Sequence, residues 1–269
     1  MGAVTGPAPR PFPHVMSFIQ FTNTSVTYPG GLQALKDVTL TIEEGEFVVI
    51  VGLSGAGKST MLRAINGLVP VSGSVLVNGR EVAGASQSEL RAIRSDVGMI
   101  FQTFNLVNRS RVVNNALMGR LSKISRWRSL LGFWPAQDKE IALQSLERVD
   151  IVEKAYVRAS DLSGGQQQRV GIARALAQEP KIILADEPVA SLDPVTSHMV
   201  MRDLERINRE LGITTLINLH FLDLARQYGR RLIGLHDGLV VFDGDIAEVD
   251  DEVFREIYGR AITPDDLLD

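Results

Sequence analysis

Between residues 17 and 51, short apolar runs alternate with polar positions and are cut by turn residues. Residues 17–24 and 25–27 read as strands that lead into the Pro29-Gly30-Gly31 turn. Val38-Thr39-Leu40-Thr41-Ile42 alternates strictly, the pattern of a half-exposed antiparallel strand. After the Glu43-Glu44-Gly45-Glu46 turn, Phe47–Val51 is apolar without a break, which predicts burial on both faces, as in a parallel sheet. Two kinds of sheet are therefore expected to meet here. Three further continuous strands are expected at 97–101, 182–185 and 213–219, the last two each preceded by a helical pattern. Residues 231–235 and 239–242 form a hairpin across His236-Asp237-Gly238. From 115 to 161 the spacing of Ala142, Leu146 and Val149 predicts helix. Strands alternating with helices give an α/β fold with a parallel sheet.

Composition removes several classes. The 269 residues are 45% hydrophobic and 22% charged, close to the globular average, so collagen-like, disordered and coiled-coil chains are excluded. The absence of Cys excludes disulfides, thiolate zinc sites and iron–sulfur clusters. A net charge of -4, from 28 basic and 32 acidic side chains, gives no global signal for nucleic acid. No apolar run approaches the ~20 residues of a membrane span. The start carries Pro7, Pro9, Pro11 and Pro13 without an apolar stretch, and reads as a flexible tail rather than a secretory signal.

The sharpest chemical feature follows Phe47–Val51. Gly52-Leu53-Ser54-Gly55-Ala56-Gly57-Lys58-Ser59-Thr60 satisfies G-x-x-x-x-G-K-[ST] between a strand and a helix. Its glycines let successive backbone N–H groups curl around phosphates, and the new helix adds four unpaired N–H groups and a positive dipole end. Lys58 is placed to reach the β- and γ-phosphates, and the Ser59 hydroxyl to ligate Mg²⁺. A second feature is Ile182-Ile183-Leu184-Ala185-Asp186-Glu187. An apolar strand that delivers two carboxylates is costly unless a cation waits there. Asp186 fits the Mg²⁺ side, and Glu187 the group that orients or deprotonates the attacking water. Third, Leu162-Ser163-Gly164-Gly165-Gln166 opens a helix. Ser163 is a natural N-cap, but glycine weakens a first turn, so two glycines there point to exposed N–H groups and a second anion-binding helix end. A single nucleotide needs one phosphate loop, so a second such end suggests sites shared between two copies of the chain.

Taken in order, these motifs resemble the ATP-binding cassette (ABC) ATPase family over residues 17 to about 245. The resemblance implies roles for four further positions. Tyr28, upstream of the phosphate loop, stacks on adenine. Gln102, after Ile100-Phe101, senses the γ-phosphate and Mg²⁺. Ser191-Leu192-Asp193 forms the turn after the acidic pair, and His220 ends the strand at 213–219 and holds the γ-phosphate. It implies a P-loop NTPase (RecA-like) core with an antiparallel β subdomain and an inserted α-helical subdomain. The expected divisions are a flexible tail over 1–16, the β subdomain and first part of the core over 17–102, the helical subdomain over 103–164, the second part of the core over 165–245, and an acidic C-terminal segment over 246–269 that reads as a partly helical, solvated cap. It further implies a head-to-tail homodimer that binds ATP and Mg²⁺ between the phosphate loop of one copy and Ser163-Gly164-Gly165-Gln166 of the other. His198 and His236 belong to no such set and read as surface residues.

A basic insert points to a partner. From 97 to 137 there is no Asp or Glu, while Arg109, Arg111, Arg120, Lys123, Arg126 and Arg128 supply +6, interleaved with Trp127, Phe133 and Trp134. Such a surface suits a membrane permease and anionic headgroups. At finer grain, Phe101-Gln102-Thr103-Phe104-Asn105-Leu106-Val107, Trp127-Arg128-Ser129-Leu130-Leu131-Gly132 and Asn218-Leu219-His220 are similar to the ATP-binding subunit of bacterial phosphonate importers. Phe221 departs from the glutamine expected after the histidine. The resemblance implies an integral membrane permease, an indirect periplasmic or lipid-anchored solute-binding protein, no nucleic acid, and a place on the cytoplasmic face of the cell membrane. The residues leave open an importer ATPase for phosphite, phosphate or a polar amino acid, and a non-transport ABC ATPase.

Overall fold

The computed structural model describes residues 18–124, 133–261 and 268. The Pro-rich tail, and Arg126, Trp127 and Arg128 of the basic insert, lie outside the described residues. Among the described residues ten strands are formed: β1 (Ile19–Thr27), β2 (Gln33–Ile42), β3 (Phe47–Val51), β4 (Ser72–Val77), β5 (Arg80–Glu81), β6 (Val97–Ile100), β7 (Ile182–Asp186), β8 (Thr214–Asn218), β9 (Arg231–His236) and β10 (Leu239–Asp245). The α-helices among these residues are α1 (Lys58–Ile65), α2 (Gln87–Asp96), α3 (Val112–Leu117), α4 (Ala136–Glu147), α5 (Gly164–Ala177), α6 (Pro194–Leu211), α7 (Leu222–Tyr228) and α8 (Asp251–Tyr258).

Two sheets form, as the two hydrophobic patterns require. One is antiparallel with order β2-β1-β4-β5; the other has order β10-β9-β3-β8-β7-β6 and is parallel except for β10. In β2, Val38, Leu40 and Ile42 are buried while Thr39 and Thr41 are exposed. In β3 every side chain is buried, but on two different sides. Val48 and Ile50 join the core between the sheets, with Met61, Leu62 and Ile65 of α1. Phe47, Val49 and Val51 join the core under α3 to α8. The strand β7 divides in the same way, Ile182 and Leu184 to one side, Ile183 and Ala185 to the other.

Three stretches depart from the sequence reading. The two short strands expected over 17–27 are one strand, β1, whose register slips between Phe21 and Thr24. Asn23 takes a left-handed backbone there (φ 45°) and bulges the strand without ending it. The helix expected over 115–161 is broken. α3 passes into a 3₁₀ turn at Met118–Ser122, α4 starts only after Pro135, and 3₁₀ turns follow at Val152–Lys154 and Ala159–Asp161. Gly119 accounts for the first break: a Cβ there would lie 2.1 Å from the Arg174 carbonyl of α5, so the chain crosses that helix at its backbone. Third, the acidic C-terminal segment is more than a solvated cap. Phe254, Ile257 and Tyr258 of α8 are buried, and the Phe254 and Tyr258 rings stack with centroids 4.3 Å apart.

His198 and His236 are half-buried rather than free on the surface. His198 Nδ1 lies 3.1 Å from the Tyr228 hydroxyl, and His236 Nδ1 lies 3.0 Å from the Ile257 carbonyl. The basic insert also loses one member. Arg120 is buried and donates to Asp138 (2.8 Å), to Glu179 (2.5 Å) and to the Ala177 carbonyl (2.9 Å). It is a structural bridge, whereas Arg109, Arg111 and Lys123 are exposed. Phe133 is exposed too, but Trp134 packs against the core under the helices.

Candidate functional site

Parallel pairing brings three strand ends to one edge. Ile50 of β3 faces Asn218 of β8, and Asn218 faces Asp186 of β7, so the three form one rung across the sheet. Beyond that rung emerge the phosphate loop, Glu187 and His220. Ligands in open α/β sheets bind at this carboxyl edge.

The phosphate loop is fixed by the absence of side chains. Gly52 has φ 148°, and a Cβ there would stand 2.3 Å from the Leu235 carbonyl of β9. Gly57, at φ 109°, would bring a Cβ to 2.5 Å from the Ala34 carbonyl of β2. The loop is thus pressed against both sheets at its two ends, while Leu53, Ser54 and Gly55 are exposed and Ala56 is buried. Gly57 caps α1 with no side-chain hydrogen bond, and the first turn holds no acid. Its N–H groups are left for an outside acceptor, which favours an anion.

Lys58 is buried, and its Nζ donates to the carbonyls of Gly52 (2.7 Å) and Leu53 (3.1 Å), folding back over the loop. Burial holds its ammonium below the usual lysine range, opposed by the charges of Glu187 and Asp186. Ser59 Oγ donates to Asp186 Oδ1 at 2.7 Å, and Asn218 Nδ2 donates to the same oxygen at 2.8 Å. The Tyr28 hydroxyl lies 3.3 Å from Thr60 Oγ1, which sets the tyrosine against the first turn of α1.

Glu187 carries a left-handed backbone (φ 52°), uncommon for a residue with a side chain and costly by about 1 kcal/mol. Strain of this kind concentrates at functional positions. Its Oε1 lies 2.5 Å from His220 Nε2. That bond, together with the charges of His220 and Lys58, holds the carboxyl below the usual range despite partial burial. His220 lies two residues past the end of β8 rather than within the strand. Gln102 is exposed two residues past β6, whose last residue, Ile100, pairs with Ala185 of β7.

The second helix end differs from the first. Ser163 Oγ accepts from the Gln166 N–H, and Gln166 Oε1 accepts from the Ser163 N–H, a reciprocal capping box that occupies the Gln166 side chain locally. Ser163 and Gly164 remain exposed. Gly165 has a packing reason of its own: a Cβ there would stand 2.3 Å from Thr196 Cγ2 at the start of α6. The Ser191-Leu192-Asp193 turn leads into that start, where Asp193 caps Thr196. The structure therefore joins Lys58, Ser59, Asp186, Glu187 and His220 in one cluster, with Tyr28 and Thr60 beside it. Gly164 and Gly165 instead lie against Leu192 and Thr196 in the segment after β7, while Ser163 and Gln166 bond to each other. Asn218 is the residue that motif reading overlooked as a member of the cluster. Its signal was an amide that closes a wholly buried strand.

Comparison with known proteins identifies the family. The ABC transporter family profile matches residues 35–190. The phosphonates import ATP-binding protein PhnC of Shouchella clausii is 60% identical over 251 residues, 93% of this chain and 94% of that protein. The protein of the same name from Bacillus anthracis is 56% identical over 93% of this chain and 98% of its own. Among solved structures, a dimeric ATP-binding cassette in a post-hydrolysis state with ADP and Pi superposes with a TM-score of 0.72 at 37% identity, over 85% of this chain and 98% of that one. The cbiO1 component of an ABC transporter complex from Clostridium perfringens gives a TM-score of 0.78 at 28% identity, over 90% and 94%. Helices flank a parallel sheet with the phosphate loop at its carboxyl edge, and that fold, the matched profile and these relatives together establish that the chain belongs to the ABC transporter family, as an ATP-binding cassette.

Proposed function

We propose that two copies of this chain bind and hydrolyse ATP at composite sites and drive the import of phosphonate, or a related phosphorus oxyanion, through a separate membrane permease. The observation that carries the reading is the cluster of Lys58, Ser59, Asp186, Glu187 and His220 beside an uncapped helix start, in a chain whose relatives at 56–60% identity are named as phosphonate import proteins. The exposure of Ser163 and Gly164 supports the head-to-tail pairing, since it leaves this helix start open to a second chain.

In this reading the N–H groups of residues 54–60 bind the phosphates of ATP, and Tyr28 lies against the base. Lys58 exchanges its bonds to Gly52 and Leu53 for the β- and γ-phosphates. Ser59 and Asp186 are the residues that would hold Mg²⁺, with Gln102 joining them. A hydroxyl and a carboxylate oxygen are hard donors, and Mg²⁺ is usually held by one or two carboxylates together with substrate phosphates and water. When bound, Mg²⁺ neutralises charge on the phosphate oxygens. Glu187 orients the attacking water and accepts its proton, and His220 fixes the Glu187 carboxylate and meets the γ-phosphate. Ser163, Gly164, Gly165 and Gln166 of the second copy close over the nucleotide and stabilise charge in the transition state. Arg109, Arg111, Lys123 and Phe133, on the segment over 103–164, face the permease, and a solute-binding protein delivers the solute from the far side. Among the described residues no helix is long and apolar enough to cross a membrane, so this reading assigns the span to the partner.

Uptake in a strain lacking the chain, given phosphonate, phosphite or phosphate as sole phosphorus source, tests the assignment. Growth restored on phosphonate by the intact chain and not by Glu187→Gln supports it. Restoration on phosphate alone would replace the solute and leave the ATPase reading in place.

A further inference from the structure

In the proposed function Gln102 addresses the nucleotide from a loop, and a loop holds position only where something holds it. The two residues that matter are Phe104 and Asn105, immediately downstream. Arg174, in the last turn of α5, donates from Nη1 to the Asn105 carbonyl at 2.6 Å and from Nη2 to the Phe104 carbonyl at 3.0 Å. No carboxylate pairs with Arg174 among the described residues, so its guanidinium is committed to these two carbonyls. At the other end of the same helix, the Gly164 Cα faces the Phe104 ring: a Cβ there would lie 3.7 Å from Phe104 Cζ. The loop therefore lies along α5 from its first residue to its third turn. A bidentate, charge-assisted grip of this kind sets orientation as well as distance.

The same stretch holds an unused amide. Gln168 of α5 is wholly buried, and neither Nε2 nor Oε1 has a protein partner. A Cβ on Gly171 would lie 3.9 Å from the Phe104 carbonyl and 4.0 Å from Gln168 Oε1, so both oxygens border one small space. A buried amide without partners is costly. Its position beside the gripped loop makes it available to that loop.

We propose that Arg174 is a positioning residue for ATP hydrolysis: it locks the loop after Gln102 to the helix that begins at Ser163, so that the Gln102 amide and the helix end move as one body. The proposal rests on the composite-site reading above, in which the two groups address nucleotides in neighbouring sites. One lock then makes the approach of Gln102 to its own nucleotide and of Ser163-Gly164-Gly165 to the partner's nucleotide a single event. Lysine cannot reproduce the grip, because one ammonium lacks the planar fork that meets two carbonyls in fixed orientation.

The test uses the full chain with Arg174→Ala, Arg174→Lys and Phe104→Ala. ATP-induced thermal stabilisation reads the phosphate loop, steady-state kinetics read turnover, and amide hydrogen exchange over 103–105 and 164–166 reads the lock. Arg174→Ala is expected to retain the ATP-induced stabilisation, to lower kcat about tenfold with KM within about twofold, and to accelerate exchange over 103–105. ATP then protects the two segments independently, and Arg174→Lys restores part of the turnover. Should Arg174→Ala fail to fold, Arg174→Lys and Phe104→Ala carry the same expectation at smaller size. Unchanged exchange and a kcat within twofold of the parent, in those variants, would overturn the proposal. Exchange needs no turnover, so a parent that binds ATP without hydrolysing it would sink the ATPase reading while still deciding whether the lock exists.

Discussion

His220 Nε2 and Glu187 Oε1 stand 2.5 Å apart, joining the residue just past β8 to the strained residue just past β7. The bond lowers the Glu187 carboxyl, while partial burial works against it. A carboxyl lowered in the folded state contributes stability above its unfolded value, and loses it as pH falls through the folded value. His220→Ala removes the bond and the charge but leaves the burial, so the Glu187 carboxyl rises. The acid limb of the residual ATP hydrolysis is expected to move to higher pH, read from a pH–rate profile. An acid limb that stays in place would separate Glu187 from the titration that controls turnover.

Gly165 is held by Thr196 as much as by any phosphate. Gly165→Ala places a Cβ 2.3 Å from Thr196 Cγ2 and is expected to cost about 1–3 kcal/mol of unfolding free energy. Thr196→Ser deletes that methyl while its hydroxyl keeps the bond to Asp193, which is 2.6 Å in the parent. The double variant should recover most of the loss, as measured by urea denaturation. Failure of Thr196→Ser to recover it would mean that the helix start cannot accept a Cβ for another reason.

Removing Arg120 leaves Asp138 buried without its cation. Arg120→Ala is expected to cost about 3–5 kcal/mol, the range for breaking a buried pair from one side. Arg120→Met combined with Asp138→Leu removes both charges and should return much of that stability. Thermal melting of the three variants checks the order, and binding to anionic vesicles should be the same for the double variant and the parent. If Arg120→Ala melted like the parent, the bridge would not be structural.

Lys58 carries a desolvated charge, which the proposed function places on the phosphates. Lys58→Met keeps the volume, removes the charge and gives up two hydrogen bonds to loop carbonyls, effects that oppose one another. Without nucleotide its melting temperature should stay within about 4 °C of the parent, roughly 1–2 kcal/mol at this chain length. A ligand at one hundred times its Kd stabilises by about 2.7 kcal/mol, and this increment should vanish in the variant. A full ATP-induced shift in Lys58→Met would remove Lys58 from phosphate binding.

The parts of this fold that could be read from the chain are those in which burial and period agree. Phe47–Val51 and 182–185 are apolar without a break because each strand feeds two cores, and both occur where expected. The elements between 72 and 96 escaped, and the reason is physical. β4 buries only Val75 and Val77, and α2 buries only Ile93, so neither presents a stripe that periodicity could detect. The break at Gly119 was hidden because its cause is a backbone from a helix more than fifty residues away. Within the site, Lys58, Ser59, Asp186 and Glu187 were legible because their motifs are local. Asn218 was not, since its role is a rung of sheet pairing, and the cap formed by Gln166 has the S-x-x-Q spacing of a capping box but is masked by the two glycines, which point to an anion site.

The phosphate loop is clamped at Gly52 by β9 and at Gly57 by β2, strands that belong to different sheets and lie far apart in sequence. Its curvature is therefore a property of the finished molecule and not of its nine residues. A chain emerging from synthesis has the loop complete long before β9 exists to press on it, so it cannot hold nucleotide well until its C-terminal third has folded back. ATP occupancy then doubles as a certificate of completed assembly, and truncated or misfolded chains are excluded from the motor by their own geometry.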